Sequence, residues 1–188
     1  MNICRLFFIL YLKLREQKKK NEKQEMPFRH PFRFWKEGQK RKGEEKRKYV
    51  VLVSHGKFAP GLHNALTMLV GEGREDILST SLENGMSSTV YADNVRKCVS
   101  GITKEDEILL FGDLVGGSPL TTAANVIAEQ GLMERTVMIG GMNLPLVLSA
   151  ALTKDTMDIS ELVETLLDES REELKQFRIS SEEVEDEI

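Results

Sequence analysis

A histidine ends a run of apolar residues in YVVLVSHG (49–56), and an aspartate followed by GGSP ends another in DEILLFGDLVGGSP (106–119). A neutral imidazole is a nucleophile, and a carboxylate bonded to one of its nitrogens fixes the tautomer and frees the other to react. Gly116 and Gly117 allow close main-chain approach, Ser118 suits a helix cap, and Pro119 suits the first helical position. The N–H groups of such a turn, with the helix dipole behind them, make a seat for phosphate. His55, Asp113 and Gly116–Ser118 together therefore point to phosphoryl transfer through a phosphohistidine. Each also has a plainer reading when taken alone. His55 could be a structural histidine, Asp113 a loop hydrogen bond and GGSP an ordinary strand-to-helix turn, so what matters is whether the fold brings them together.

The pattern from residue 49 onward supplies a fold that does so. Apolar runs at 49–54, 76–82, 106–114 and 135–141 read as strands. Helical stretches lie between and after them. One over 60–70 places Leu62, Ala65, Leu66 and Leu69 on one face. A second runs from a Ser87–Ser88 cap to Val99, with Val90 and Val95 among its apolar positions. A third follows GGSP to Gly131. A fourth starts at an Asn143 cap with Pro145 in its first turn, and a fifth, led by Asp158, spans 158–177. Repeated strand–helix alternation predicts an α/β, doubly wound, mainly parallel four-stranded sheet with helices on both faces. Ligands of such sheets bind beyond the carboxyl ends of the strands, where His55-Gly56, Asp113 and Gly140-Gly141 fall.

Charge divides the chain. It carries 26 Lys and Arg against 30 Asp and Glu, but residues 1–48 hold 16 basic against 6 acidic and the remainder 10 against 24. Residues 1–48 read as a basic, solvated and disordered extension by composition, 49–177 as the folded domain and 178–188 as an acidic tail. The basic patch in PFRHPFRFW, with Phe32, Phe34 and Trp35 interleaved, also has the character of a nucleic-acid or anionic-lipid binder, but composition favours the solvated tail. A third reading is that translation starts later and part of the extension does not belong to the natural protein. ICRLFFILYLKL is too short to span a bilayer, and no small-residue cleavage site follows it.

Several chemistries find no residues to run them. Cys4 and Cys98 have neither disulfide nor zinc spacing, which fits a reducing cytoplasm. His30 and His63 are the other histidines, and His63 is expected on the polar, solvent side of its helix, so no metal is expected. GGSP lacks the Lys-Ser/Thr ending of a nucleotide-binding loop, and no Gly-x-Ser-x-Gly elbow is present. No cofactor and no nucleic-acid partner are expected.

VSHGKFAPGLHNALTMLVG, LLFGDLVGGSPLTTAANV and MIGGMNLPLVLSAAL resemble, in this order, three signature regions of enzyme IIA of the mannose/fructose/sorbose class, part of the bacterial phosphoenolpyruvate-dependent sugar phosphotransferase system. The resemblance covers residues 48–177. It implies that His55 accepts a phosphoryl group from the histidine-containing phosphocarrier protein and passes it to a histidine of the cognate enzyme IIB. Asp113 matches the orienting carboxylate, and Ser118 the serine whose loop, with Gly116 and Gly117, holds the phosphoryl group. Gly56 would leave room for the carrier surface, and Asn143 would support the site. The family forms homodimers by exchanging a C-terminal strand, for which FRIS (177–180) is the candidate, and it works in the cytoplasm beside membrane permease subunits. Leu114 departs from members that carry threonine there, so main-chain donors would have to substitute. Two rivals share the fold: the phosphoryl-donor subunit of a dihydroxyacetone kinase, against which GGSP and NLP speak, and a non-catalytic regulatory module, against which the intact His55 and Asp113 speak.

Overall fold

The computed structural model describes residues 46–176. The proposed exchanged strand at 177–180, the acidic tail and residues 1–45 of the basic extension lie outside them. Strands β1 (Lys48–His55), β2 (Ile77–Leu82), β3 (Glu107–Gly112) and β4 (Thr136–Gly140) pair in the order β2-β1-β3-β4. All three ladders are parallel. Helices α1 (Phe58–Val70), α2 (Ser88–Cys98), α3 (Ser118–Glu129), α4 (Leu144–Thr153) and α5 (Ile159–Glu172) alternate with and follow the strands, and a short 3-10 turn, Met133–Arg135, leads into β4.

Period-two alternation divides the central strands between two cores. Val50 and Leu52 of β1, with Leu109 and Phe111 of β3, pack under α1, α4 and α5 against Leu66, Val147, Leu162 and Leu166. Tyr49, Val51 and Val53, with Ile108 and Leu110, face α2 and α3 against Tyr91, Val95, Ala123 and Ile127. Both faces of β1 and β3 are therefore covered, which is why these strands read as unbroken apolar runs. Fully burying one such side chain contributes about 1.5–3 kcal/mol.

Some boundaries and faces differ from the sequence reading. β1 starts at Lys48, and the residues before it belong to the fold: Lys46 and Lys48 pair with Glu107, and the Arg47 N–H donates to Asp106 Oδ1 at 3.0 Å. On α2 the buried line is Tyr91–Val95, whereas Val90, about 100° away around the helix, is 51% exposed. On α1, Ala59, Leu62 and Leu66 are buried while Leu69 is exposed. His63 is half-buried instead of lying on the surface, because its helix packs against β2, and its Nδ1 meets Ser79 Oγ at 2.9 Å. Burial lowers its pKa. Helix α5 ends at Glu172, short of residue 177, and Asp158 occupies its cap position without a side-chain cap bond.

Candidate active site

The strand order places the site. From β1 the chain moves outward to β2 and then returns across β1 to β3, so the helices after β1 and β3 leave on opposite faces and a crevice opens between the two strand ends. His55 is the last residue of β1, and Asp113 follows the last residue of β3. Val53 pairs with Gly112 across the ladder, so Asp113 falls across from Ser54, one residue before His55, at the same end of the sheet.

Asp113 is bound from several directions. His55 Nδ1 lies 2.9 Å from Asp113 Oδ2, and the main-chain N–H of His55 donates to the same oxygen at 2.8 Å. The N–H of Leu114 donates to Oδ1 at 2.9 Å. Burial by itself would raise the Asp113 pKa, but the main-chain and ring bonds from His55, its charge when protonated, and the Leu114 N–H outweigh burial and hold it below the usual carboxylate value. An ionised carboxylate only accepts, so Nδ1 carries the proton and the Nε2 lone pair is left free. The His55 side chain is 45% exposed and that of Asp113 16%. The imidazole is thus open to a macromolecular partner while its orienting group is shielded. The Leu114 side chain offers no hydroxyl at this position, and its main-chain N–H is committed to Asp113.

Two turns frame the imidazole. Gly56, at φ +55°, makes the sharp exit from β1, and its N–H donates to Leu82 O at 2.9 Å. A β-carbon there would meet nothing within 4 Å, so the turn conformation, and not lack of space, asks for glycine. Ser54, fully buried behind His55, accepts the Ala59 N–H on Oγ at 2.6 Å and so ties the first turn of α1 to the strand. On the other side, Gly116 at φ +70° turns the chain into α3.

Ser118 is not the cap of α3. Gly117 holds that position, with Ser118 and Pro119 as the first two helical residues. The extended conformation of Gly117 brings the chain into the helix, and its carbonyl accepts from the Thr121 N–H at 3.0 Å. The Gly117 N–H closes a turn onto Leu114 O at 3.2 Å. Among the described residues, the N–H groups of Gly116 and Ser118 and the Ser118 hydroxyl have no partner, and Ser118 is exposed. Behind them, Tyr91 Oη donates to Pro119 O at 3.2 Å, fixing the first turn of α3 from α2. Burial, then the charges of Cys98 and Asp113, raises the Tyr91 pKa.

Asn143 caps α4, its Oδ1 accepting from the Leu146 N–H at 3.0 Å. It supports the segment after β4, and the Met142 N–H ties that segment to Gly112 O at 3.0 Å. The sequence reading did not anticipate what Gly117 and Gly140 touch. A β-carbon at Gly117 would lie 3.1 Å from His55 Cε1, and one at Gly140 would lie 2.5 Å from Val115 Cγ2. A glycine in a one-dimensional sequence carries no sign of which atoms approach it.

Comparison with known proteins follows the same lines. The family model of the PTS system fructose IIA component matches residues 49–167. The PTS system fructose-specific EIIA component of Bacillus subtilis (strain 168) is 26% identical over 136 residues, covering 72% of this chain and 88% of that protein. The sorbose-specific EIIA component of Lacticaseibacillus casei is 29% identical over 122 residues, covering 63% and 82%. The mannose/sorbose specific IIA subunit from Enterococcus faecalis superposes with a TM-score of 0.60 at 19% identity over 71% of this chain and 97% of that one, a likeness of fold. With a matching family model over most of the chain and a parallel α/β fold to go with it, the chain belongs to the mannose-type enzyme IIA family of the sugar phosphotransferase system.

Proposed function

We propose that His55 is a phosphoryl relay, loaded by the histidine-containing phosphocarrier protein and unloaded onto a histidine of the cognate enzyme IIB. The observation that carries this reading is the 2.9 Å contact between Nδ1 and an ionised Asp113, which leaves Nε2 as the nucleophile on an exposed ring. A bond from Nε2 to phosphorus forms as the bond from phosphorus to the donor imidazole breaks, and the donor ring keeps that electron pair. Positive charge developing on the His55 ring is balanced at Nδ1–H by Asp113. Negative charge spreads over the equatorial oxygens of the transferring group. The Gly116 and Ser118 N–H groups and the Ser118 hydroxyl are the donors assigned to it, with the α3 N-terminus adding its dipole. Gly117 lends shape and not a donor, since its N–H is already used.

The reading extends to a cytoplasmic homodimer beside the permease subunits, in which the sugar never touches this chain. Phosphorylated carrier protein and the full chain should give an acid-labile label on His55. His55→Ala should lower labelling at least a thousandfold; labelling at the native rate would end the reading.

A further inference from the structure

The glycines at the carboxyl edge of the sheet fall into two groups. Gly56, Gly116 and Gly141 have positive φ and open space where a β-carbon would stand. Gly117 and Gly140 are the reverse. Gly117 has φ −64° and ψ 154°, which any residue adopts, and Gly140 is an ordinary strand residue without a positive φ. Their surroundings, not their backbones, oppose a side chain. At Gly140 the main chain would have to shift, and at Gly117 a neighbour would have to give by a few tenths of an ångström.

The two contacts lie in series. At the end of β4, a β-carbon on Gly140 would come within 2.8 Å of Val115 Cα and 2.9 Å of its nitrogen, as well as 2.5 Å from Cγ2. Trimming the Val115 side chain would not relieve this, because two of the three contacts are main chain. The loop after Asp113 therefore rests directly on the backbone of β4. At the far side of that loop, a β-carbon on Gly117 would press His55 Cε1 at 3.1 Å and Leu114 Cβ at 3.2 Å. Cε1 joins the two ring nitrogens, so the ring edge itself lies against Gly117. The half-exposed imidazole could escape such pressure by swinging toward solvent, and that motion would break its 2.9 Å contact with Asp113.

We propose that Gly117 and Gly140 are positioning residues for His55: Gly140 seats the Asp113–Gly117 loop against β4, and Gly117 leaves the imidazole the space it occupies when bonded to Asp113. The inference assigns the Gly140 half of the Gly140-Gly141 pair a steric role and builds on the relay reading of His55. Its structural half, the ring orientation, is measurable without any phosphoryl transfer.

The test uses the full chain with 15N-labelled histidine, as the native protein, Gly117→Ala, Gly140→Ala and, as the reference for a lost carboxylate, Asp113→Asn. In the native protein, ring 15N shifts at a pH where the imidazole is neutral should report the Nδ1–H tautomer. Gly117→Ala should melt at the native temperature or above, yet its His55 shifts should move toward those of Asp113→Asn. Its phosphorylation rate should fall about tenfold to a hundredfold, the scale of a small misplacement of a reacting group. Gly140→Ala should produce the same change in ring shifts, and adding Val115→Ala should not restore the native ones. Native ring shifts and a native rate in Gly117→Ala would overturn the proposal, and that variant decides the matter if Gly140→Ala fails to fold. Shifts that move as expected in a protein that carrier protein never phosphorylates would uphold the positioning role and refute the relay instead.

Discussion

Asp113 accepts from both the main chain and the ring of His55 through one oxygen, and from Leu114 through the other. Its removal therefore affects orientation before it affects fold. Asp113→Asn should slow phosphorylation of His55 by about a hundredfold, measured by quenched-flow labelling, with far-ultraviolet circular dichroism unchanged. The same residue has a signature in acid. Its folded pKa is depressed, so the stability it contributes is fully present above the unfolded value of about 4 and is lost as pH falls through the lower, folded value. The urea-stability difference between the native protein and Asp113→Asn should be largest near neutrality and shrink below about pH 4. A difference that grew in acid would show that another group controls it. His55 and Asp113 were legible in the sequence because each is a chemically distinctive residue at the end of an apolar run. The reassignment of the α3 cap from Ser118 to Gly117 was not: sequence preference favours serine, but the turn closed onto Leu114 O advances the cap by one residue.

Among the elements, α2 and α3 are tied together near the site by the Tyr91 hydroxyl and farther along by the Arg96–Glu129 ion pair. Tyr91 is fully buried, and its hydroxyl reaches Pro119 O at the start of α3. Tyr91→Phe should cost about 1 kcal/mol in urea unfolding and leave Pro119 O without that donor, while the phosphorylation rate falls less than in Asp113→Asn. The periodic pattern found every α-helix and strand of the described residues but not the 3-10 turn Met133–Arg135, because long apolar repeats dominate their own locality and a three-residue turn has none. It misjudged which residue of α2 faces inward. Val90 and Tyr91 are both apolar enough to bury, and the direction from which α3 approaches selects Tyr91. The half-burial of His63 has the same origin, since only the packing of α1 on β2 brings it to Ser79.

Across the whole molecule, the edge of the sheet opposite the site carries a separate ionic cluster. Arg74 bonds Asp76 through Nε and Nη2, each at 2.7 Å, and Asp76 lies 3.0 Å from the buried Lys154 at the end of α4. Burial would raise the Asp76 carboxyl, but Arg74 and Lys154 together hold it far below its ordinary value. Asp76→Ala should destabilise the fold by roughly 2–3 kcal/mol, a cost moderated because Asp155 still meets Lys154 at 2.7 Å. With the cluster at the amino ends of the strands, the phosphorylation rate of the folded fraction should stay native. Because the Asp76 pKa is depressed, this contribution persists above about pH 4 and disappears only deep in acid. The cluster escaped the sequence reading, since Asp76 and Lys154 are distant in the chain and charged residues in loops are ordinarily solvated.

The strand order β2-β1-β3-β4 also bears on when the protein becomes reactive as it folds. A chain that has formed β1, α1 and β2 already possesses His55, yet the carboxylate 58 residues farther on arrives only when β3 inserts beside β1 and closes the longer loop. Chemical competence is therefore acquired with the nonlocal β1–β3 ladder, not with the parallel β1-α1-β2 unit that precedes it. A nascent or partly unfolded chain presents a histidine but no oriented nucleophile, and so phosphate would be committed only to molecules whose central sheet is complete.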